Sequence, residues 1–125
     1  MKLWPPLRFR FHEDDRERYG DDWYVYDEAA LLRIPAPELV EIEQTVGMSV
    51  PTMLMRARQN FTDANLAATW VARRLAGVKE PFAKYQPLVL LIDWEKVPRP
   101  KPAGKAAGDD ANPPERTSST SPSGE

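Results

Sequence analysis

The sequence predicts an α+β domain, and three observations carry that reading. Residues 7–11 alternate apolar and basic side chains with a period of two, the pattern of a strand with one buried and one wet face. Residues 37–47 and 62–77 place apolar side chains at spacings of three and four, each between a proline or polar start and a glycine stop, as amphipathic helices do. From Pro98 to Glu125 no large apolar residue occurs, and prolines alternate with Gly, Ser, Thr, Asn and charged residues.

In order along the chain, Leu7, Phe9 and Phe11 are assigned to the core face of the first strand, with Arg8 and Arg10 in water. A polar run over residues 13–22 reads as a long loop, and Trp23-Tyr24-Val25-Tyr26 as a second, aromatic-rich strand. The two make an antiparallel hairpin, which is marginal alone and needs helices over its apolar face. After an apolar patch at residues 29–32, Pro35 and Pro37 exclude a long helix through residues 34–37. A helix then starts near Pro37, carries Leu39, Ile42 and Val46 on one face and stops at Gly47. Ser49 caps a second helix with Pro51 in its first turn, ending near Asn60 with Val50 or Met53, Leu54 and Ala57 inward. Thr62 or Asp63 caps a third, with Leu66, Ala67, Trp70, Val71 and Leu75 on the apolar face and Gly77 as the stop. Residues 81–85 read as one helical turn. Residues 87–94 are too short and too uniformly apolar for a surface helix, and are assigned as a buried strand or an extended segment over the core. The fold expectation is therefore an N-terminal β-hairpin packed with about three short helices and a C-terminal apolar strand or extended segment over residues 1–97. Residues 98–125 follow as a disordered Pro/Ser/Gly-rich tail, having nothing to bury against the entropy of ordering.

Chemistry-bearing patterns are sparse. Lys and Arg number 17 against 19 Asp and Glu, a net charge of −2 that is neither a nucleic-acid footprint nor an acidic shield. The absence of cysteine excludes a disulfide framework, a zinc ribbon and a thiol nucleophile, and points to the cytosol. No signal-peptide pattern and no membrane-spanning apolar window occurs, so neither secretion nor a membrane partner is expected. The single histidine, His12, stands beside Glu13, Asp14 and Asp15; contiguous acids seldom converge on one cation, and a solvated loop balanced by Arg16 and Arg18 is the favoured reading. Arg8, Arg10, Arg16, Arg18 and Arg33 with Tyr24 and Tyr26 form the raw material of a nucleic-acid stacking surface, but the interspersed acids favour an ordinary mixed-charge face. Gly20, Gly47 and Gly77 are isolated, so no phosphate loop exists. With no nucleophile and base pair and no metal set, neither enzyme activity nor a cofactor is expected.

Two groups remain as candidate partner-binding residues. Trp70, Arg73 and Arg74 share the third helix, where core packing and helix-dipole complementation are the ordinary roles and an exposed aromatic and arginine patch the alternative. Phe82, Tyr85, Leu88, Leu90, Ile92 and Trp94 make a second apolar cluster, which another chain must cover if the small core cannot.

The order of these pieces resembles a known family. The strand pair, then Glu38-Leu39-Val40-Glu41-Ile42-Glu43-Gln44-Thr45-Val46-Gly47-Met48-Ser49, then Leu66-Ala67-Ala68-Thr69-Trp70-Val71-Ala72-Arg73-Arg74-Leu75-Ala76-Gly77, is similar to the tail assembly chaperones of long-tailed bacteriophages, particularly those of actinobacteria. The resemblance spans about residues 7–95 and rests on order and spacing. Here the C-terminal segment is less acidic, and the net charge less negative, than is usual in that family. The resemblance implies a non-enzymatic factor acting in the host cytoplasm and absent from the finished virion. Its partner would be the tape measure protein, with the tail tube protein and a longer, frameshifted form of the chain as further candidates, alongside weak self-association. The competing expectations are a virion structural protein, such as a head-tail connector or minor tail protein, and a nucleic-acid-binding regulator.

Overall fold

The computed structural model describes residues 2–98. The tail assigned to residues 98–125 therefore falls, after Pro98, outside the described residues. Strand β1 (Leu7–Arg10) is followed by a 3₁₀ turn at Glu13–Asp15 and a one-turn helix α1 (Arg16–Tyr19). Strand β2 (Tyr24–Tyr26) leads into the short helix α2 (Glu28–Leu31), and then come α3 (Ala36–Val46), α4 (Val50–Arg58) and α5 (Thr62–Leu75). Two 3₁₀ turns, Phe82–Lys84 and Val89–Leu91, precede strand β3 (Asp93–Lys96). The architecture is α+β, with a three-stranded antiparallel sheet in the order β2-β1-β3.

The sheet is where expectation and structure part. β1 and β2 form the expected hairpin, Leu7 opposite Tyr26 and Phe9 opposite Tyr24. The third strand, however, is the charged stretch after the apolar run. It pairs with β1 so that Asp93 faces Arg10, Trp94 faces Phe9 and Glu95 faces Arg8. The physical reason is complementarity on both faces. On the outer face Arg8 pairs with Glu95, and Arg10 and Arg16 reach Asp93 at 4.0 and 3.8 Å. On the inner face the Trp94 ring lies 5.1 Å from Phe9. Cross-strand pairs of opposite charge and of aromatic rings are the units that stabilise a sheet.

The apolar run instead starts at Pro87 and is interrupted by the 3₁₀ turn at Val89–Leu91, so residues 87–92 form no strand. Another correction concerns residues 13–22. They are not wholly a solvated loop, since α1 turns Tyr19 inward, where its ring stacks 5.0 Å from Phe11. His12 accepts a hydrogen bond at Nδ1 from the Asp14 amide, 3.2 Å, and so caps the turn that begins the helix.

The helices follow their local signals closely. α3 has Pro37 in its first turn and ends at Gly47, whose φ of 79° is the left-handed value that glycine adopts without steric cost. The Ser49 side chain accepts from the Thr52 amide at 3.2 Å and caps α4. α5 begins after Phe61, with neither Thr62 nor Asp63 acting as the N-cap; Asp63 is held by Arg56 at 2.8 Å. α5 packs on α4 and beneath the sheet and is buried nearly all round, with Ala64, Ala67, Ala68 and Ala72 permitting close approach. Leu75, assigned inward, is exposed in the last turn; Thr69 and Ala72 occupy the interior in addition to the expected Ala67, Trp70 and Val71.

A buried ion pair ties the sheet edge to the helices. The Glu28 carboxylate, at the start of α2, accepts from Arg58 of α4 and from the Trp4 amide, and Arg58 also donates to the Lys2 carbonyl at 2.9 Å. Burial alone would push the Glu28 carboxyl up; the hydrogen bonds from Arg58 and Trp4 and the Arg58 charge outweigh it and hold the group below its ordinary value.

Two predictions follow from this packing. Because Trp70 is 5% exposed, Trp70→Ala should lower the unfolding free energy by about 3–5 kcal/mol in urea titrations, whereas a loss of under about 0.5 kcal/mol would mark a surface residue. For Glu28 the lowered folded pKa makes its contribution fully present above the unfolded carboxyl value and lost as pH falls through the folded one. Glu28→Gln should therefore be less stable than the parent at neutral pH, with melting temperatures converging as the pH falls below about 5. A constant gap across that range would mean that the pair does not titrate with folding.

Candidate functional site

Where α5, the turn of α1 and the segment after Gly77 meet, a guanidinium is enclosed by rings. Arg73 is 6% exposed, and its guanidinium carbon lies 5.1 to 5.5 Å from the ring centroids of Tyr19, Phe11, Tyr85 and Tyr24. Glu80 accepts from Arg73 Nη1, and the Glu80 carbonyl accepts from the Trp70 indole N–H at 2.8 Å. Burial opposes the Arg73 charge, but Glu80 and the neighbouring tyrosine oxygens outweigh it and raise its pKa. Tyr85 donates its hydroxyl proton to Thr69 Oγ1 at 2.8 Å, and Thr69 donates to the Asn65 carbonyl at 2.9 Å. Burial, the largest effect, pushes the Tyr85 hydroxyl pKa upward, so it remains a proton donor.

This anchored base carries an exposed apolar shelf. The Tyr19 hydroxyl accepts from the Gln86 amide at 2.9 Å, and Asp15 Oδ2 accepts from the Leu88 amide at 2.8 Å. On the far side Ile92 is buried. Between these fixed points the 3₁₀ turn lifts its side chains outward, leaving Leu88 43%, Leu90 78% and Leu91 49% exposed. With Thr62 and Leu66 of α5 they border an open groove of about 630 Å3, almost without polar lining. Phe61, next to Thr62, is also exposed, with the Arg56 guanidinium over its ring. A shelf of this kind can cover apolar side chains of another molecule by removing surface from water.

The sequence-derived candidates are thus divided. Trp70, Arg73, Tyr85 and Ile92 are buried, and Phe82 and Trp94 pack partly buried against the core. Arg74 lies at the flank, bonded to Glu38 and Glu41 at 3.4 and 3.1 Å. Leu88 and Leu90 are the candidates presented to solvent on the shelf, and Leu91 joins them, with half-buried Leu66 bordering the groove. The signal for Leu91 was the lack of alternation in the run, which left no face assigned to water. The arginines of the sheet are occupied as well: Arg8 and Arg10 lie over the Trp23 ring at 4.3 and 4.7 Å while pairing with acids. Tyr24 and Tyr26, weighed with them as a stacking surface, belong to the core side of the sheet.

The ring enclosure has a measurable consequence. Arg73→Lys loses the planar contact with four rings and should lower stability by about 1–3 kcal/mol in urea titrations, more than Glu80→Gln, which leaves those rings in place. Equal effects would place the energy in the Glu80 bond alone. Compared with known proteins, the chain matches no family model, no curated protein and no solved structure.

Proposed function

We propose that this chain is a non-enzymatic assembly factor of the tail assembly chaperone type, which binds apolar stripes of the tape measure protein and keeps it soluble while the tail tube forms. The observation that carries this reading is the shelf of Leu88, Leu90 and Leu91, held outward by a turn whose flanks are pinned to Asp15, Tyr19 and the core. A patch this small favours weak binding per copy. At about 25 cal/mol per Å2 of apolar surface covered, useful protection of a long client comes from many copies. The order of elements described for residues 7–95 supports the same class. In this reading the protein works in the host cytoplasm and leaves before the virion matures. Among the described residues no helix is long and apolar enough to cross a membrane.

The test is co-expression with a tape measure protein. Leu90→Lys with Leu91→Lys should leave the melting temperature within a few degrees, since Leu90 is mostly and Leu91 about half exposed, and should send the client into the insoluble fraction. Client solubility unchanged by a folded double variant would remove the shelf from the reading. A purified chain that forms a ring of fixed stoichiometry without client would favour a virion structural protein, such as a head-tail connector, instead.

A further inference from the structure

A second groove has a lining of its own, and its chemistry differs from that of the shelf. It has a volume of about 280 Å3 and is walled by Trp4, Tyr26 and Trp94, with Arg58, Asn60 and Asn65 along its helical side. The Tyr26 hydroxyl is buried and has no hydrogen-bond partner among the described residues. The indole N–H of Trp70 is bonded to a carbonyl, whereas those of Trp4 and Trp94 make no such bond to a described residue. Arg58 brings no free charge, because Glu28 neutralises it and its guanidinium lies 5.1 Å from the Trp4 ring.

Aromatic walls with spare indole N–H donors and no unpaired charge call for a ligand of the complementary kind. It should offer compact apolar rings and neutral carbonyl acceptors at the positions that touch the walls. A proline-rich segment in the polyproline II conformation fits, because its backbone carbonyls are not used internally and it loses little entropy on binding. An anion does not, since the guanidinium is already paired.

Such a segment starts beside the groove. Trp94 belongs to β3, and Lys96, the last residue of that strand, pairs with Leu7, which also borders the groove. The described chain ends at Pro98, and the sequence continues Arg99-Pro100-Lys101-Pro102, with proline at every second position. At about 3.1 Å per residue in polyproline II, these five residues span roughly 15 Å, enough to cross a groove that begins within two residues of the exit. We propose that the groove bounded by Trp4, Tyr26 and Trp94 is a docking site for the chain's own Pro98-Arg99-Pro100-Lys101-Pro102, bound by the same molecule.

The experiment uses the isotope-labelled full chain in solution. Expected are nuclear Overhauser contacts between the ring protons of Pro100 or Pro102 and the indoles of Trp4 or Trp94, together with upfield shifts of those proline protons. Pro100→Ser with Pro102→Ser should abolish both and move the Trp4 and Trp94 indole resonances, while circular dichroism and the Trp70 indole resonance stay as in the parent, which separates undocking from unfolding. Trp4→Ala offers a second route, because this exposed ring can be removed with little effect on the core; it too should release the proline shifts. Proline shifts in the full chain equal to those of the free pentapeptide would overturn the proposal. So would contacts that appear only between labelled and unlabelled copies, which would make the groove a site between molecules.

Discussion

A buried positive charge is the constraint around which the rest of this small domain is arranged. Arg73 can be held inside only if its cost of desolvation is offset, and the offset comes from Glu80 and from four aromatic rings: Phe11 just after β1, Tyr19 of α1, Tyr24 of β2 and Tyr85 in the segment after Gly77. These pieces lie far from Arg73 in sequence and also pack on one another, the Tyr19 ring against those of Phe11 and Tyr85. The guanidinium thus acts as a common reference that sets α1, the first hairpin and the segment around Tyr85 relative to α5. The neighbouring bonds, Trp70 to the Glu80 carbonyl and Tyr85 to Thr69, lock the same segment a second time. Rigidity there is what allows the residues just beyond, Leu88 to Leu91, to remain in water without collapsing onto the surface.

The sheet obeys a second rule, in which each face is matched separately. Its outer face alternates Arg8 and Arg10 with Glu95 and Asp93, over the ring of Trp23, and its inner face alternates Phe9 with Tyr24 and Trp94. Pairing in any other register by one residue would set arginines against the core and aromatic rings against water. A chain with few strands gains specificity this way without a large hydrophobic area.

How far the fold could be read from sequence depended on whether the determining signal was local. The caps, prolines and glycine stops placed α3, α4 and α5 within a few residues, because Pro37, Gly47 and Ser49 act on their own neighbours. β1 and β2 were legible for the same reason. β3 was not, since Asp-Trp-Glu-Lys has no strand-like composition on its own; it becomes a strand through what Arg8, Phe9 and Arg10 require across the sheet. α1 was missed because a single aromatic residue, Tyr19, outweighs the polar residues around it once Phe11 is there to receive it. The candidate site was half legible. The apolar surplus of the second cluster was visible as composition, but which leucines face water depended on the 3₁₀ turn, which no period of two or of 3.6 describes. Arg73 looked like an ordinary last-turn arginine, and only the convergence of four remote rings changes that.

The central position of β1 also orders events in time. Arg8 and Glu95 are 87 positions apart, so the sheet joins nearly the first described strand to the last. During synthesis the hairpin and the three longer helices can assemble from neighbouring residues, but one edge of β1 stays open until Lys96 has been made. Long-range closure of this kind is the slow step in folding, as the entropy of bringing the ends together is lost before the pairing rewards it. A nascent chain of this protein would therefore present an unpaired strand edge beside Phe9 for most of its translation, and its apolar run at residues 88–92 would emerge just ahead of the strand that closes it.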